Sequence, residues 1–294
     1  MTSPGYKLVQ LANGALSIQS LAYGETMHPA IGPVAEAEAL YVKQPRLVER
    51  IREHAGEFVI WDVGLGAAAN ALAVLRATRH LACALRLVSF DNTTEPLQFA
   101  LNHAEALGYF GGSESHAQML FEKHRVSFRD AHQLVEWELQ PGDFPSLLAR
   151  FLAASPARSA LQSLPAPHAI LFDPFSPARN PAMWTLPLFT NLFGLLDPAR
   201  PCALATYSRS TMTRVALLLA GFYVGAGQAT GEKEETTIAA NGLELIGEPL
   251  DRKWLARARR SHSAEPLWEP IYRQARLAPA TWKELQAHKQ FAKF

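Results

Sequence analysis

Cysteine and net charge are both scarce in this sequence. Its two cysteines, Cys83 and Cys202, lie far apart in apolar surroundings, which excludes a C-x-x-C motif and predicts reduced thiols packed in the core. The formal net charge of the 294 residues is only +1. Any surface that binds a nucleic acid must therefore be a local patch, because the molecule as a whole is not a polycation.

Long hydrophobic runs and the common catalytic motifs are also absent. The most apolar stretch, residues 215–226, is too short to cross a bilayer, and the first residues lack the basic-then-apolar pattern of a signal peptide, so we expect a cytoplasmic protein. The sequence has no P-loop lysine motif, no G-x-S-x-G and no H-E-x-x-H, and its histidines have no metal-ligand spacing. We therefore expect no metal site.

The sequence does contain a strand, a glycine turn and a helix in succession. Residues 58–61 (FVIW) are typical of a buried parallel strand, Gly64 and Gly66 follow, and residues 67–73 favour a helix. Such a turn lets a ligand approach the backbone and the free N–H groups of a helix N-terminus. Taken alone, it fits a dinucleotide site, an ordinary glycine turn, or motif I of S-adenosyl-L-methionine (SAM) methyltransferases, in which an acid such as Asp62 precedes the glycines.

Acidic residues end the next two predicted strands. Residues 85–90 end at Asp91, where a carboxylate can accept hydrogen bonds from both hydroxyls of a ribose. Residues 124–129 end at Asp130-Ala131, a strand end that is frequent in SAM methyltransferases, where the acid faces the adenine amino group. Because the dinucleotide fold carries no equivalent expectation, this pattern favours SAM as the cofactor.

The order of the predicted elements indicates the fold class. Strands at residues 169–172 and 202–207 alternate with helices, and a closing hairpin pairs residues 222–229 with 235–240. Residues 132–166 are predicted to be helical with two proline breaks. The sequence therefore predicts an α/β protein with the Rossmann-like fold of SAM-dependent methyltransferases: a mostly parallel seven-stranded sheet, helices on both faces and a terminal antiparallel hairpin.

The segments on either side of this domain have their own patterns. Asn13-Gly14 predicts the turn of a hairpin within residues 5–23, and Gly32-Pro33 opens a helix. We therefore divide the chain into an N-terminal hairpin and helix (1–50), a methyltransferase domain (51–245) and a basic, aromatic C-terminal tail (246–294).

The tail has two interpretations. Arg252 and Arg257 belong to a cluster of five cations, with Trp254, Trp268 and Tyr272 nearby in the sequence. Basic and aromatic side chains together can bind phosphates and stack on bases. A solvated helix that packs a tryptophan on the core would show the same pattern, so both readings stay open, and Arg252 and Arg257 are candidate substrate-binding residues.

The fourth predicted strand ends in the most chemically informative turn. Asp173-Pro174-Phe175 resembles the (Asp/Asn)-Pro-Pro-(Tyr/Phe) turn of amine-directed methyltransferases, in which oxygens of the turn accept hydrogen bonds from an amino group and an aromatic ring covers the target. Methyl transfer from a sulfonium mainly requires a neutral nitrogen held in line with the methyl group, and a carboxylate can accept the surplus proton. We therefore expect Asp173 to be catalytic and Pro174 and Phe175 to contact the substrate.

A longer segment resembles one particular family. Residues 173–184 (DPFSPARNPAMW) are similar to the segment D-G-F-A-P-A-K-N-P-x-M-W of the MnmC-type tRNA methyltransferases. Weaker similarities span residues 20–240 and include EALYV at 38–42, DVGLG at 62–66 with Asn70, SFD at 89–91, LATYS at 204–208 and GEKEE at 231–235. Ala67 and Ala68 replace a Thr-Gly pair of that family, and Pro174 replaces a glycine.

The resemblance implies a reaction and a set of site residues. In that family the domain transfers the methyl group of SAM to the amine of 5-aminomethyl-2-thiouridine at the tRNA wobble position, and many members are fused to an FAD-dependent oxidase, which nothing in this sequence resembles. The implied cofactor-binding residues are Glu38, Asp62, Gly64, Gly66, Asn70, Asp91, Asp130 and Asp173, and Lys233 is a candidate tRNA contact. The alternatives are a methyltransferase for another amine, on a small molecule or a protein, and a non-catalytic RNA-binding relative.

Overall fold

The computed structural model describes residues 5–153, 164–229 and 235–293, which form two sheets surrounded by helices. The strands are β1 (Tyr6–Gln10), β2 (Leu16–Ser20), β3 (Glu25–Thr26), β4 (Glu57–Val63), β5 (Ala84–Asp91), β6 (Arg125–Asp130), β7 (Gln133–Pro141), β8 (Ala169–Phe172), β9 (Ala203–Thr206), β10 (Tyr223–Gly227) and β11 (Thr236–Ala240). Strands β1 to β3 form a small antiparallel sheet, and the other eight form the large one.

The helices alternate with the strands of the large sheet. They are α1 (Pro33–Ala37), α2 (Leu47–Glu53), α3 (Ala69–Thr78), α4 (Glu95–Asn102), α5 (Ala104–Leu107), α6 (Glu114–Lys123), α7 (Phe144–Ala153), α8 (Leu186–Gly194), α9 (Thr211–Leu219), α10 (Arg252–Arg260) and α11 (Pro279–Gln286). A π-helical segment, Glu38–Lys43, follows α1, and short 3₁₀ turns occupy Pro181–Trp184, Leu243–Leu245 and Phe291–Lys293.

The large sheet has the order β10-β11-β9-β8-β4-β5-β7-β6. Strands β9, β8, β4, β5 and β7 are parallel, whereas β11 and β10 at one edge and β6 at the other are antiparallel to their neighbours. The predicted Rossmann-like α/β fold, mostly parallel and closed by an antiparallel hairpin, is therefore confirmed. The sheet has eight strands among the described residues rather than the predicted seven.

The extra strand changes the interpretation of residues 124–141. The strand predicted at 124–129 exists as β6, but it is not the third parallel strand. Of the helical region predicted at 132–166, the described residues contain helix α7 (Phe144–Ala153), whereas residues 133–141 form a strand. Residues 125–130 form β6, which turns at Ala131 (φ 51°) and pairs antiparallel with β7. It is β7 that lies parallel to β5. In β7, the apolar residues Val135, Trp137 and Leu139 alternate with polar ones and are buried, which is the period of a strand rather than of a helix.

The two faces of the large sheet have separate hydrophobic cores. One core packs the N-terminal segment and helices α3, α4 and α6 on the sheet, with Tyr41, Leu72 and Leu97 among its buried members. The other contains α7, α8 and α9 together with Trp254 and Leu285 of the tail. The N-terminal hairpin turns at Asn13-Gly14 as predicted, and both end segments are packed on the sheet they flank.

The described part of the tail is folded. Its residue Gln290 is fully buried, and the side-chain amide accepts a hydrogen bond from Val224 N–H (2.8 Å) and donates to the carbonyl oxygens of Val224 and Leu250 (2.8 Å each). These bonds satisfy backbone groups at the edge strand β10, which would otherwise lack partners. In the described ranges, no helix has the length and apolar character needed to span a membrane.

Candidate active site

A cavity of about 380 Å³ opens at the carboxyl ends of the parallel strands. This is the edge at which open α/β sheets bind ligands. Its walls come from the loops after β4, β5, β7, β8 and β9, and from the N-terminal segment, which contributes residues 6, 23, 25–29 and 36. The N-terminal segment therefore covers the site from above the sheet.

The glycine turn forms the floor of the cavity. Gly64 (φ 93°) and Gly66 (φ 51°) both have left-handed backbones, which glycine adopts without strain. A Cβ atom at Gly64 would lie 2.9 Å from the carbonyl oxygen of Asp173, so only a glycine lets the turns after β4 and β8 come this close. Helix α3 then begins at Ala69, after Ala68 in the left-handed region (φ 63°).

Asp91 stands at the end of β5, as predicted, and lines the cavity. Its carboxylate accepts hydrogen bonds from the backbone N–H groups of Gly66 (2.8 Å) and Thr93 (3.2 Å). Burial raises the pKa of this carboxyl, although these hydrogen bonds act in the opposite direction. The structure thus fixes Asp91 against the glycine turn.

Asp130 does not lie at this site. Because β6 runs antiparallel to β7, its last residue lies level with the amino-terminal end of β7, away from the cavity. There the Asp130 carboxylate pairs with Arg79 (2.7 Å). The acid that follows the true third parallel strand is Asp143, which lines the cavity and accepts hydrogen bonds from Ser146 N–H and Oγ at the start of α7. The sequence signal for Asp143 is the Gly142-Asp143 pair after an alternating strand, which the helical interpretation of 132–166 concealed.

Asp173 is held by two residues from other segments. Asn70, on the first turn of α3, donates from Nδ2 to Asp173 Oδ2 at 2.7 Å. His28 Nε2 lies 3.4 Å from the same oxygen and 2.9 Å from Asn70 Oδ1. His28, Asn70 and Asp173 thus form one cluster, although they are far apart in the sequence. His28 carries no motif and was not predicted.

The cluster is electrostatically distinctive. Burial lowers the pKa of His28, but the hydrogen bond and charge of Asp173, helped by Glu36 and Asn70, outweigh it and raise the pKa to about 9. At neutral pH His28 is therefore an imidazolium beside the Asp173 carboxylate. Burial and then the charge of Asp173 raise the pKa of Tyr41 and of Tyr207 well above the usual value, so both remain neutral phenols.

The turn after β8 presents an aromatic wall. The Phe175 ring stacks on Tyr23, with centroids 4.2 Å apart and planes 19° apart, and both line the cavity. The Pro174 carbonyl accepts a hydrogen bond from the Tyr207 hydroxyl (2.9 Å), and the Phe175 carbonyl accepts one from Trp184 Nε1 (2.9 Å). These bonds fix the Asp173-Pro174-Phe175 backbone from behind.

Two acids predicted to hold the cofactor lie outside the lining of the cavity. Glu38 is half-exposed on the π-helical segment and pairs with Lys43 (3.3 Å), whereas the neighbouring Glu36 is buried and lines the cavity. Asp62 is fully buried beneath the turn, where its Oδ2 accepts a hydrogen bond from Ser89 Oγ (2.8 Å). Burial raises the pKa of Asp62 to about 7. Asp62 therefore supports the glycine turn and does not contact the cavity.

Of the cations predicted to contact tRNA, Arg252 and Arg257 do not line the cavity. Lys233 lies outside the described residues. Arg252 and Arg257 are on the exposed face of α10, and Arg252 donates to the Phe291 carbonyl (3.2 and 3.3 Å). As for metals, the part of the chain that the structure describes contains no cluster of three or more His, Cys, Asp or Glu side chains placed to bind one.

Three observations indicate that the cavity could hold SAM. The Gly64 turn approaches the ligand space with no side chain, and the first turn of α3 begins there. Carboxylates of Asp91 and Asp143 stand at the ends of the next two parallel strands. The volume of about 380 Å³ lies within the range of small-molecule sites.

Comparison with known proteins agrees with this geometry. A family of S-adenosyl-L-methionine-dependent methyltransferases matches residues 146–242. The tRNA 5-methylaminomethyl-2-thiouridine biosynthesis bifunctional protein MnmC of Aeromonas hydrophila is 29% identical over 252 residues, which cover 80% of this chain and 35% of that protein. MnmC of Methylibium petroleiphilum is also 29% identical over 252 residues, covering 82% and 36%. The crystal structure of MnmC2 from Aquifex aeolicus has a TM-score of 0.65 at 20% identity, covering 96% of this chain and 82% of that one.

The matching family and relatives support the class of S-adenosyl-L-methionine-dependent methyltransferases for this protein. Within that class it is related to the MnmC proteins, as the DPFSPARNPAMW segment predicts. The chain spans about a third of the length of the curated relatives that it matches.

Proposed function

We propose that the protein transfers the methyl group of SAM to the exocyclic amine of 5-aminomethyl-(2-thio)uridine at the tRNA wobble position. The observation that carries the proposal is the Asp173 cluster, in which Asn70 and His28 hold one oxygen of a carboxylate directly above the glycine turn. The MnmC relatives are named for the biosynthesis of 5-methylaminomethyl-2-thiouridine in tRNA, which supports this amine as the acceptor. A reaction on tRNA would take place in the cytoplasm.

Asp173 would prepare the amine for attack. A primary alkyl amine is protonated at neutral pH and must lose a proton before its lone pair can reach a methyl group. Since the contacts of Asn70 and His28 both go to Oδ2, we assign Oδ1 the role of accepting a hydrogen bond, and then the surplus proton, from the substrate nitrogen. The positive His28 lies 3.4 Å from Oδ2, on the side of the carboxylate that Asn70 also contacts.

The aromatic wall would position the base. A uridine ring stacked against Phe175, which is itself backed by Tyr23, would direct its 5-substituent toward Asp173. Holding the nitrogen in line with the methyl group is the largest contribution that a methyltransferase makes to this reaction. The hydrogen bonds from Tyr207 and Trp184 to the turn keep that wall in place.

The remaining residues would bind the cofactor. We assign Gly64 and Gly66 to the methionine end of SAM, Asp91 to the ribose and Asp143, in place of Asp130, to the adenine amino group. Glu36 rather than Glu38 lines the cavity on the N-terminal side, so it is the better candidate for the cationic methionine amine. Asp62 would support the turn from below.

Methyl transfer to a defined tRNA tests the proposal. The protein is incubated with methyl-labelled SAM and tRNA from cells that lack this last methylation, and the tRNA is digested to nucleosides and separated. We expect label in 5-methylaminomethyl-(2-thio)uridine and none when fully modified tRNA is used. If the tRNA stays unlabelled and label enters only a small-molecule amine or a protein supplied as an alternative substrate, the proposed acceptor is wrong.

A further inference from the structure

A loop in the C-terminal tail displays large apolar side chains to solvent. Trp268, Ile271 and Tyr272 are 53%, 54% and 39% exposed, and every residue from 268 to 276 is exposed. We call residues 264–276 the aromatic loop. Contiguous exposed apolar side chains usually mark an interaction site, and tryptophan, tyrosine and arginine are the residues that contribute most to such sites.

The aromatic loop is closed by its own hydrogen bonds. The N–H groups of Ala264 and Glu265 both donate to the Ala275 carbonyl (2.9 and 3.0 Å). The Glu265 carboxylate accepts from Trp268 Nε1 (3.1 Å), from the Ala278 N–H (2.8 Å) and from Thr281 Oγ1 (2.8 Å). Because these bonds fix the exposed rings in advance, little entropy is lost when a ligand binds them.

The loop is also joined to one wall of the active site. The Leu186 N–H donates to the Leu267 carbonyl (2.7 Å), and Thr185 and Leu267 form a parallel bridge. Met183, two residues before Thr185, lines the cavity. Along this path the exposed rings begin within roughly 16 Å of the cavity wall, a distance that two or three nucleotides of a single strand can span.

The surroundings of the loop are basic. Residues 252–276 contain seven arginines and lysines but only two glutamates, whereas the whole chain has a net charge of +1. Helix α10 ends just before the loop, and the Arg259 guanidinium lies over the Trp282 ring, 5.0 Å from its centroid. A groove between α10 and α11, lined by Arg252, Arg259 and Arg260, runs beside it. Such a surface is complementary to a polyanion.

We propose that the aromatic loop is a nucleic-acid site that stacks on unpaired bases next to the target nucleoside, while the arginines of α10 bind phosphates of the same strand. The inference rests on the proposed function, because it takes tRNA as the substrate. Exposed rings and arginines side by side are the usual means of binding single-stranded RNA, since every base has a face on which a ring can stack. The hydrogen bond from Leu186 to Leu267 joins this surface to the segment whose residue Met183 lines the cavity.

Binding of a short RNA to matched variants tests the site. The probes are an anticodon stem-loop with 5-aminomethyluridine at the wobble position and the same RNA with abasic residues on both sides of it. The test variant is Trp268→Ala with Tyr272→Ala. The control is Met119→Ala with Leu134→Ala, which removes side chains of similar exposure, 39% and 49%, from α6 and β7. Thermal unfolding confirms that both variants fold.

We expect the abasic RNA to bind the unaltered protein at least about tenfold more weakly than the intact RNA. The Trp268/Tyr272 variant should bind both RNAs with that weaker affinity, and the control variant should match the unaltered protein. Equal affinity of the Trp268/Tyr272 variant and the unaltered protein for the intact RNA would overturn the loop proposal, while methylation of that RNA would still support the proposed function. If the unaltered protein neither binds nor methylates the RNA, the proposed function fails and the loop proposal fails with it.

Discussion

Asn70 Nδ2 donates a hydrogen bond of 2.7 Å to Asp173 Oδ2, and this bond joins the first turn of α3 to the turn after β8. Asn70 is buried, so its amide has no water to exchange for this partner. The bond occupies Oδ2 of the Asp173 carboxylate. The family resemblance predicts Asn70 as a cofactor-binding residue, whereas its contact in the structure is to the proposed catalytic group.

Replacement of Asn70 by alanine distinguishes these two roles. If Asn70 orients Asp173, the rate of methyl transfer should fall about 10- to 150-fold, because a hydrogen bond to a charged group contributes about 1.5–3 kcal/mol. The SAM dissociation constant should stay within a factor of about two. The rate is measured by transfer of labelled methyl groups and the affinity by calorimetry. Weaker SAM binding with an unchanged rate at saturating SAM would assign Asn70 to the cofactor instead.

Replacement of Gly64 by alanine should disturb the site through contact rather than through backbone strain. Gly64 and Gly56 have nearly the same φ, 93° and 97°, but a Cβ atom at Gly64 meets the Asp173 carbonyl at 2.9 Å, whereas one at Gly56 meets nothing within 4 Å. Both variants should lose about 1–3 kcal/mol of unfolding free energy from the strained backbone. Only Gly64→Ala should also lose methyl transfer. Comparable loss of activity in Gly56→Ala would show that the close approach is not responsible.

The two candidate adenine acids provide a second matched pair. Asp143→Asn should weaken SAM binding several-fold, because the amide cannot accept as a carboxylate does, whereas it can still cap α7. Asp130 pairs with Arg79 near the amino-terminal end of β7, away from the cavity. Asp130→Asn should therefore leave SAM binding unchanged. Calorimetric titration with SAM measures both. The reverse order of effects would restore the adenine assignment to Asp130.

The sequence predicts the strands that are apolar runs, but it does not predict β7. Strands β4 and β8 are buried on both faces, so their composition alone indicates a central parallel position. Strand β7 has β6 on its outer side and carries Glu136 and Glu138 among its apolar residues. Because of that mixture the sequence predicts a helix here, so that Asp130, and not the cavity-lining Asp143, becomes the candidate acid for the adenine amino group.

The N-terminal part of the site could not be predicted for a different reason. Tyr23, His28 and Glu36 line the cavity because the N-terminal segment folds over the site. A local sequence pattern does not indicate which distant segment of the chain will cover a site. The histidine is separated from Asp173 by 145 residues of chain. Strand ends converge by the rules of parallel sheets, so Asp91 and Asp173 could be placed together from the sequence, whereas a covering segment is placed only by the tertiary fold.

The charge on His28 should appear in the pH dependence of stability. Its pKa of about 9 is above the ordinary 6.5, so its stabilising contribution is complete below pH 6.5 and is lost as the pH rises through 9. The shift corresponds to about 3 kcal/mol of unfolding free energy. His28→Asn removes the charge, and asparagine tolerates the left-handed backbone at this position (φ 51°).

Chemical denaturation of both proteins at several pH values measures this contribution. The difference in unfolding free energy between the unaltered protein and His28→Asn should be largest at pH 6 and should shrink by about 3 kcal/mol by pH 10. Comparison at each pH cancels the other titrating groups. A difference that does not change with pH would mean that folding does not shift the pKa of His28.

The most direct test of the account is the single-turnover rate of methyl transfer by Asp173→Asn, measured with SAM affinity on the same preparation. The asparagine keeps the shape of the side chain but cannot accept a proton. The account predicts a rate at least about 100-fold lower with a SAM dissociation constant within about threefold of the unaltered value. An unchanged rate, or losses of equal size in rate and affinity, would contradict the assignment of Asp173 as the group that deprotonates the amine.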